Sequence, residues 1–83
     1  MPIFMCERRF SPPLTEAEFA AGGRALQPCI DERKVQWLGS NLAADGSRSV
    51  CMYESPDAER IREANRVAGI PFDVVWEARL YRP

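Results

Sequence analysis

Three glutamates, Glu7, Glu54 and Glu77, offer the most direct chemistry in this chain of 83 residues. Clustered carboxylates raise one another's pKa and invite a proton, an arginine or a metal ion. With its pKa lifted by burial, one of them is a candidate general base; Tyr53 is a candidate hydrogen-bond donor, although strand parity places it on the other face. Arg8, Arg9 and Arg79 are the cations that could instead pair with them at a rim. The chain has no histidine. That removes the commonest general base and the commonest transition-metal ligand together. The three cysteines, Cys6, Cys29 and Cys51, are far apart with no CxxC pair, so no disulfide framework is expected. A buried cysteine usually packs as a small hydrophobe. No phosphate-binding loop or nucleophile elbow is present.

The elements that must position these residues follow from local pattern. Residues 2–10 read as a strand, with Ile3, Met5 and Glu7 on one face and Phe4, Cys6 and Arg8 on the other. Ser11-Pro12-Pro13 stops it. Thr15-Glu16-Ala17-Glu18 is a capping-box pattern, opening a helix whose stripe is Phe19, Gly23, Leu26 and Ile30. Gly22-Gly23 weakens that helix and implies close approach to a sheet, and Pro28 is expected to kink or end it. Val35 to Leu42 and Ser49 to Glu54 read as strands joined through the Asp45-Gly46 turn. Ser55 as cap and Pro56 at the first helical position start a second helix, with Ala58, Ile61, Ala64 or Asn65, and Ala68 inward. Gly69 and Pro71 end it, and Phe72 to Leu80 is the last strand.

The order is β-α-β-β-α-β. The fold class is therefore α+β, a ferredoxin-like single domain over residues 1–83, with a four-stranded antiparallel sheet and two helices on one face. The covered face is expected to hold Phe4, Cys6, Cys51 and Tyr53, with Val74, Trp76 and Ala78 from the last strand and Trp37 at the edge. The open face then holds Ile3, Met5, Leu38, Val50, Met52 and Val75. Glu7, Glu54 and Glu77 share its parity, so they are expected to converge near one end of it. A face this apolar requires cover, and a second copy in a two-fold dimer supplies it. A ligand pocket between the two sheets would be walled by Met5, Leu38, Met52 and Val75.

Composition sets the outer bounds. Hydrophobic residues are 46% and charged residues 28%, an ordinary globular balance. No apolar stretch is long enough to span a bilayer, and the start has no secretory pattern, so a cytoplasmic location is expected. Eleven basic and twelve acidic residues give a net charge of −1, which argues against nucleic acid as a partner.

The run Val50-Cys51-Met52-Tyr53-Glu54-Ser55-Pro56-Asp57-Ala58-Glu59 carries a resemblance. With Ile61-Arg62-Glu63, Ala68-Gly69-Ile70-Pro71, Trp76-Glu77 and the start Phe4-Met5-Cys6-Glu7-Arg8, it resembles a bacterial family of short ferredoxin-like proteins of unknown function. Some members of that family are labelled nickel-binding. The family resembles the dimeric α/β-barrel superfamily, which implies a homodimer and a pocket on the sheet. The nickel label implies a divalent metal. Without histidine, such a site in this chain would rest on Cys6, Cys51 and the glutamates, since thiolates bind nickel and zinc.

The leading functional expectation is a small dimeric ligand- or metal-binding protein with its pocket on the open sheet face. The alternative is a cofactor-free enzyme of dimeric-barrel type, a cyclase, monooxygenase or isomerase, using a glutamate base. Met1-Pro2-Ile3-Phe4 also resembles the start of tautomerases, whose catalytic base is an N-terminal proline. The Asp45-Gly46 hairpin fits the ferredoxin-like order better.

Overall fold

Burial alternates along Ile3–Arg9, which makes this segment a central strand, β1: Phe4, Cys6 and Arg8 are buried, and Ile3, Met5 and Glu7 are only half-buried. The computed structural model describes all 83 residues. It continues with α1 (Glu16–Glu32), β2 (Gln36–Leu42), β3 (Arg48–Glu54), α2 (Ala58–Ala68) and β4 (Val74–Ala78). The sheet order is β2-β3-β1-β4, and every neighbouring pair is antiparallel. This is the ferredoxin-like arrangement that the element order implied. Leu26 and Ile30 of α1 and Ile61 and Ala64 of α2 pack on Phe4, Cys6, Cys51, Tyr53 and Val75 of the sheet. Burying Ile30 or Ile61 fully contributes about 1.5–3 kcal/mol each.

The local signals act as their chemistry dictates. Thr15 caps α1 by accepting from the Glu18 amide at 3.1 Å, and the Glu18 carboxylate accepts from the Thr15 amide at 2.9 Å. Gly46 takes φ 76° in the β2–β3 turn, which favours glycine. The turn is also anchored from outside, because the Leu14 amide donates to the Gly46 carbonyl at 2.9 Å. Gly69 ends α2 in the left-handed conformation, with φ 71°.

Four expectations are corrected. Pro28 does not end α1, which runs on to Glu32. It is exposed, while Ile30 beyond it is in the core, so packing holds the last turn despite the missing donor. The cap of α2 is Asp57, whose carboxylate accepts from the Arg60 amide at 2.9 Å. Ser55 is buried below the helix start and donates to the Asp57 carbonyl at 2.7 Å. Gly22 and Gly23 do not serve close packing: a Cβ at either position meets nothing within 4 Å.

The fourth correction governs the site. On β4 the inward residue is Val75, paired with Cys6, while Val74 and Trp76 turn to the open face. Asp73 sets this register. Its amide donates to the Glu7 carbonyl at 2.8 Å, and its carboxylate accepts from the Arg9 amide at 2.6 Å. Val74 must then lie opposite Glu7, and every later side chain follows.

Candidate ligand-binding site

The β4 register disperses the glutamates. Glu77 pairs with Phe4 and so points to the helix side of the sheet. Glu7 and Glu54 do share the open face, but Glu7 lies opposite Val50 while Glu54 lies opposite Ile3. Four residues of β3 separate those rows, a distance of about 13 Å. Glu7 instead accepts from the Trp76 indole at 2.6 Å. The structure therefore brings no carboxylate cluster together. Tyr53 is buried in the core, away from both open-face glutamates.

The expected pocket wall is also split. Met5 and Met52 pair directly on the open face. Leu38 sits in a bulge of β2, between Trp37 and Gly39, and is exposed. Val75 is removed from that wall, since it is only 5% exposed beneath the helices. No helix covers the open face, which leaves Val74 and Trp76 each 44% exposed there.

A half-open cavity lies on the other side, between α1 and the sheet. It has a volume of about 880 Å³, within the usual range for small-molecule sites. Phe19, Leu26 and Ile30 of α1 form one wall, and Trp37, Ser40, Cys51 and Tyr53 form the floor. The β1–α1 connection closes one end with Phe10 and Leu14, and Phe10 meets Phe19 edge to face. Gly22 and Gly23 also line it. Their missing side chains leave room where α1 would otherwise approach β2. Trp37 is held in place by its indole N–H, which donates to Ser40 Oγ at 2.9 Å.

Arg8 is the polar centre of this cavity. It is only 4% exposed. Its guanidinium donates to Asn65 Oδ1 at 2.8 Å, to Cys6 Sγ at 3.1 Å and to Tyr53 Oη at 3.4 Å. All three acceptors are neutral, because burial pushes the Cys6 thiol up to about 11 and raises Tyr53 well above its ordinary value. The positive Arg8 opposes the Cys6 shift without cancelling it. Ser49, the register partner of Arg8 on β3, keeps a buried hydroxyl oxygen with no hydrogen-bond partner. Sequence pattern contained this signal. Arg8 shares the parity of Phe4 and Cys6, and a charge at a core-facing position marks a site more specifically than a rim glutamate.

Cys6 and Cys51 are buried and directly paired across β1 and β3. Two thiols are an incomplete donor set for nickel, and no three Cys, Asp or Glu side chains come together anywhere in the chain. The Arg8 cation, 3.1 Å from Cys6 Sγ, and the raised thiol pKa both oppose a divalent ion. The residues of one chain therefore do not fit a nickel centre at this cysteine pair.

Comparison with known proteins agrees on family and fold. A search of curated proteins gives no match. The crystal structure of SCO4226 from Streptomyces coelicolor A3(2) superposes with a TM-score of 0.86 at 20% identity, covering 96% of this chain and 99% of that one. The family model for SCO4226-like nickel responsive proteins matches residues 4–78. The chain thus belongs to the SCO4226-like family of nickel-responsive proteins.

Proposed function

We propose that this protein is a homodimeric small-molecule-binding protein whose ligand occupies the cleft between α1 and the sheet. The observation that carries this reading is the cavity of about 880 Å³, with apolar walls and one buried guanidinium. Apolar walls with sparse, convergent polar groups are the usual recipe for a ligand site. The open face supports the dimer: Met5, Met52 and Trp76 face away from the helices, and a second copy sheet to sheet would cover them.

The lining favours binding over turnover. A glutamate-based enzyme needs a carboxylate in the cleft, and the only one there is Glu18, exposed at the rim and engaged in the α1 cap. The donor set of this chain supports an organic ligand in the cleft rather than a resident nickel ion. Native mass spectrometry with and without nickel and zinc tests the reading. The expected spectrum is a dimer without stoichiometric metal that gains mass with small organic ligands. A monomer would overturn the dimer, and one nickel ion per chain would replace the organic ligand with a metal.

A further inference from the structure

We infer that the cleft takes a monocarboxylate with an apolar body, its carboxylate seated on Arg8. This deepens the reading of the cleft as the binding site and rests on it. Arginine stays charged in proteins, and a buried charge is costly unless something balances it. No carboxylate of the chain lies within 4.0 Å of the Arg8 nitrogens; the ion pairs of the molecule involve Arg33, Arg60 and Arg66. The three acceptors Arg8 does have are neutral, and its guanidinium carries more N–H donors than they use. The protein supplies hydrogen bonds to this group but no carboxylate at ion-pair distance.

A carboxylate matches what is missing. Its two oxygens suit the planar guanidinium fork, and one negative charge balances one buried positive charge. A dianion such as phosphate would leave surplus charge against apolar walls. At the rim, Arg9 and Arg24 outnumber Glu18, which biases the entrance toward anions. Beyond the head, Phe19, Leu26 and Trp37 offer apolar surface. Gly22 and Gly23 leave the space open, since a Cβ at either meets nothing within 4 Å.

Isothermal titration calorimetry of the full chain with octanoate and with octanol separates head from body. Octanoate is expected to bind about tenfold or more tightly than octanol, the scale of a hydrogen bond to a charged group. Equal affinities would overturn the carboxylate assignment while leaving the cleft as an apolar binding site. Binding of neither would overturn both readings. Asn65→Asp then locates the head. It puts a carboxylate where Asn65 Oδ1 now sits, 2.8 Å from Arg8, and so satisfies the cation from within. Octanoate affinity should fall to that of octanol, with octanol unchanged. Undiminished octanoate binding by folded Asn65→Asp would remove Arg8 from the assignment. Should this variant not fold, the comparison of the two ligands on the unaltered chain still decides the carboxylate claim.

Discussion

The Arg8 guanidinium reaches from the centre of the sheet to Asn65 of α2, donating to its side-chain oxygen at 2.8 Å with both residues buried. Asn65 in turn donates to the Ile61 carbonyl at 2.8 Å, so its amide is fixed in one orientation. This contact ties helix to strand and holds the cation at the cavity floor. Asn65→Leu keeps the volume but leaves Arg8 short of its nearest acceptor. A loss of about 1.5–3 kcal/mol is expected, the usual cost for a hydrogen bond to a charged group, read from urea unfolding. A loss below about 0.5 kcal/mol would mean that Arg8 finds another partner without strain.

Gly23 and Gly46 should respond to alanine with opposite signs. At Gly23 a Cβ meets open space in the cavity and the backbone is helical. Gly23→Ala should therefore stabilise the fold by about 0.5–1 kcal/mol through helix propensity. It should also narrow the cleft and weaken ligand binding, which would explain why a helix-weakening residue stands there. At Gly46 the φ is 76° and a Cβ would collide with the Leu14 carbonyl. Gly46→Ala should destabilise by about 1–3 kcal/mol. Thermal melts of the two variants beside the parent chain check both signs.

Stability should fall at both ends of the pH range. Glu18 and Asp45 have folded pKa values below their ordinary 4.5 and 3.8, chiefly from hydrogen bonds with Thr15 and Ser47 respectively. A depressed carboxylate contributes stability above its unfolded pKa and loses it as pH falls through the folded value. The acid limb therefore opens below about pH 4.5, and Asp45→Asn should flatten its lower part. Cys6 behaves in reverse, because burial raises its thiol from 9.0 to about 11. Its contribution is complete below pH 9.0 and is lost as pH climbs toward about 11. Melting temperatures of the Cys6→Ala variant should show a shallower alkaline limb than the parent, from a lower plateau.

The open face should control assembly. Met5 pairs with Met52 on one side and with Trp76 on the other, forming an apolar band at the middle of β3, β1 and β4. Met52→Glu puts a charge into that band without touching the helix-side core. Sedimentation should show a monomer for the variant and a dimer for the parent. A parent monomer would refute sheet-to-sheet pairing directly.

Much of the fold was legible in the chain because its signals are local. The Thr15–Glu18 capping box, the Asp45-Gly46 turn and the Gly69 stop each act within a few residues, and the structure uses all of them. The face assignments of β1 and β3 were legible too, since both strands alternate cleanly. The site was less so. In Val74-Val75-Trp76-Glu77-Ala78, choosing the largest side chains as inward gives one parity. The structure takes the other, because Asp73 bonds to Glu7 and Arg9 from a loop that hydrophobic pattern does not read. That single step dispersed the glutamates and moved Val75 inward. The cavity was hidden for a similar reason. A glycine pair in an amphipathic stripe reads equally as close packing or as empty space, and only tertiary distance separates the two.

Amide and indole chemical shifts of isotopically labelled protein, titrated with octanoate, test the central claim most directly. A ligand in the cleft should shift Gly22, Gly23, Leu26 and the Trp37 indole together, while Met5, Met52 and the Trp76 indole stay in place. Shifts confined to Met5, Met52 and Trp76 would put the ligand on the open face and contradict the cleft. The absence of any shift at saturating octanoate would contradict a binding site for apolar acids in this protein.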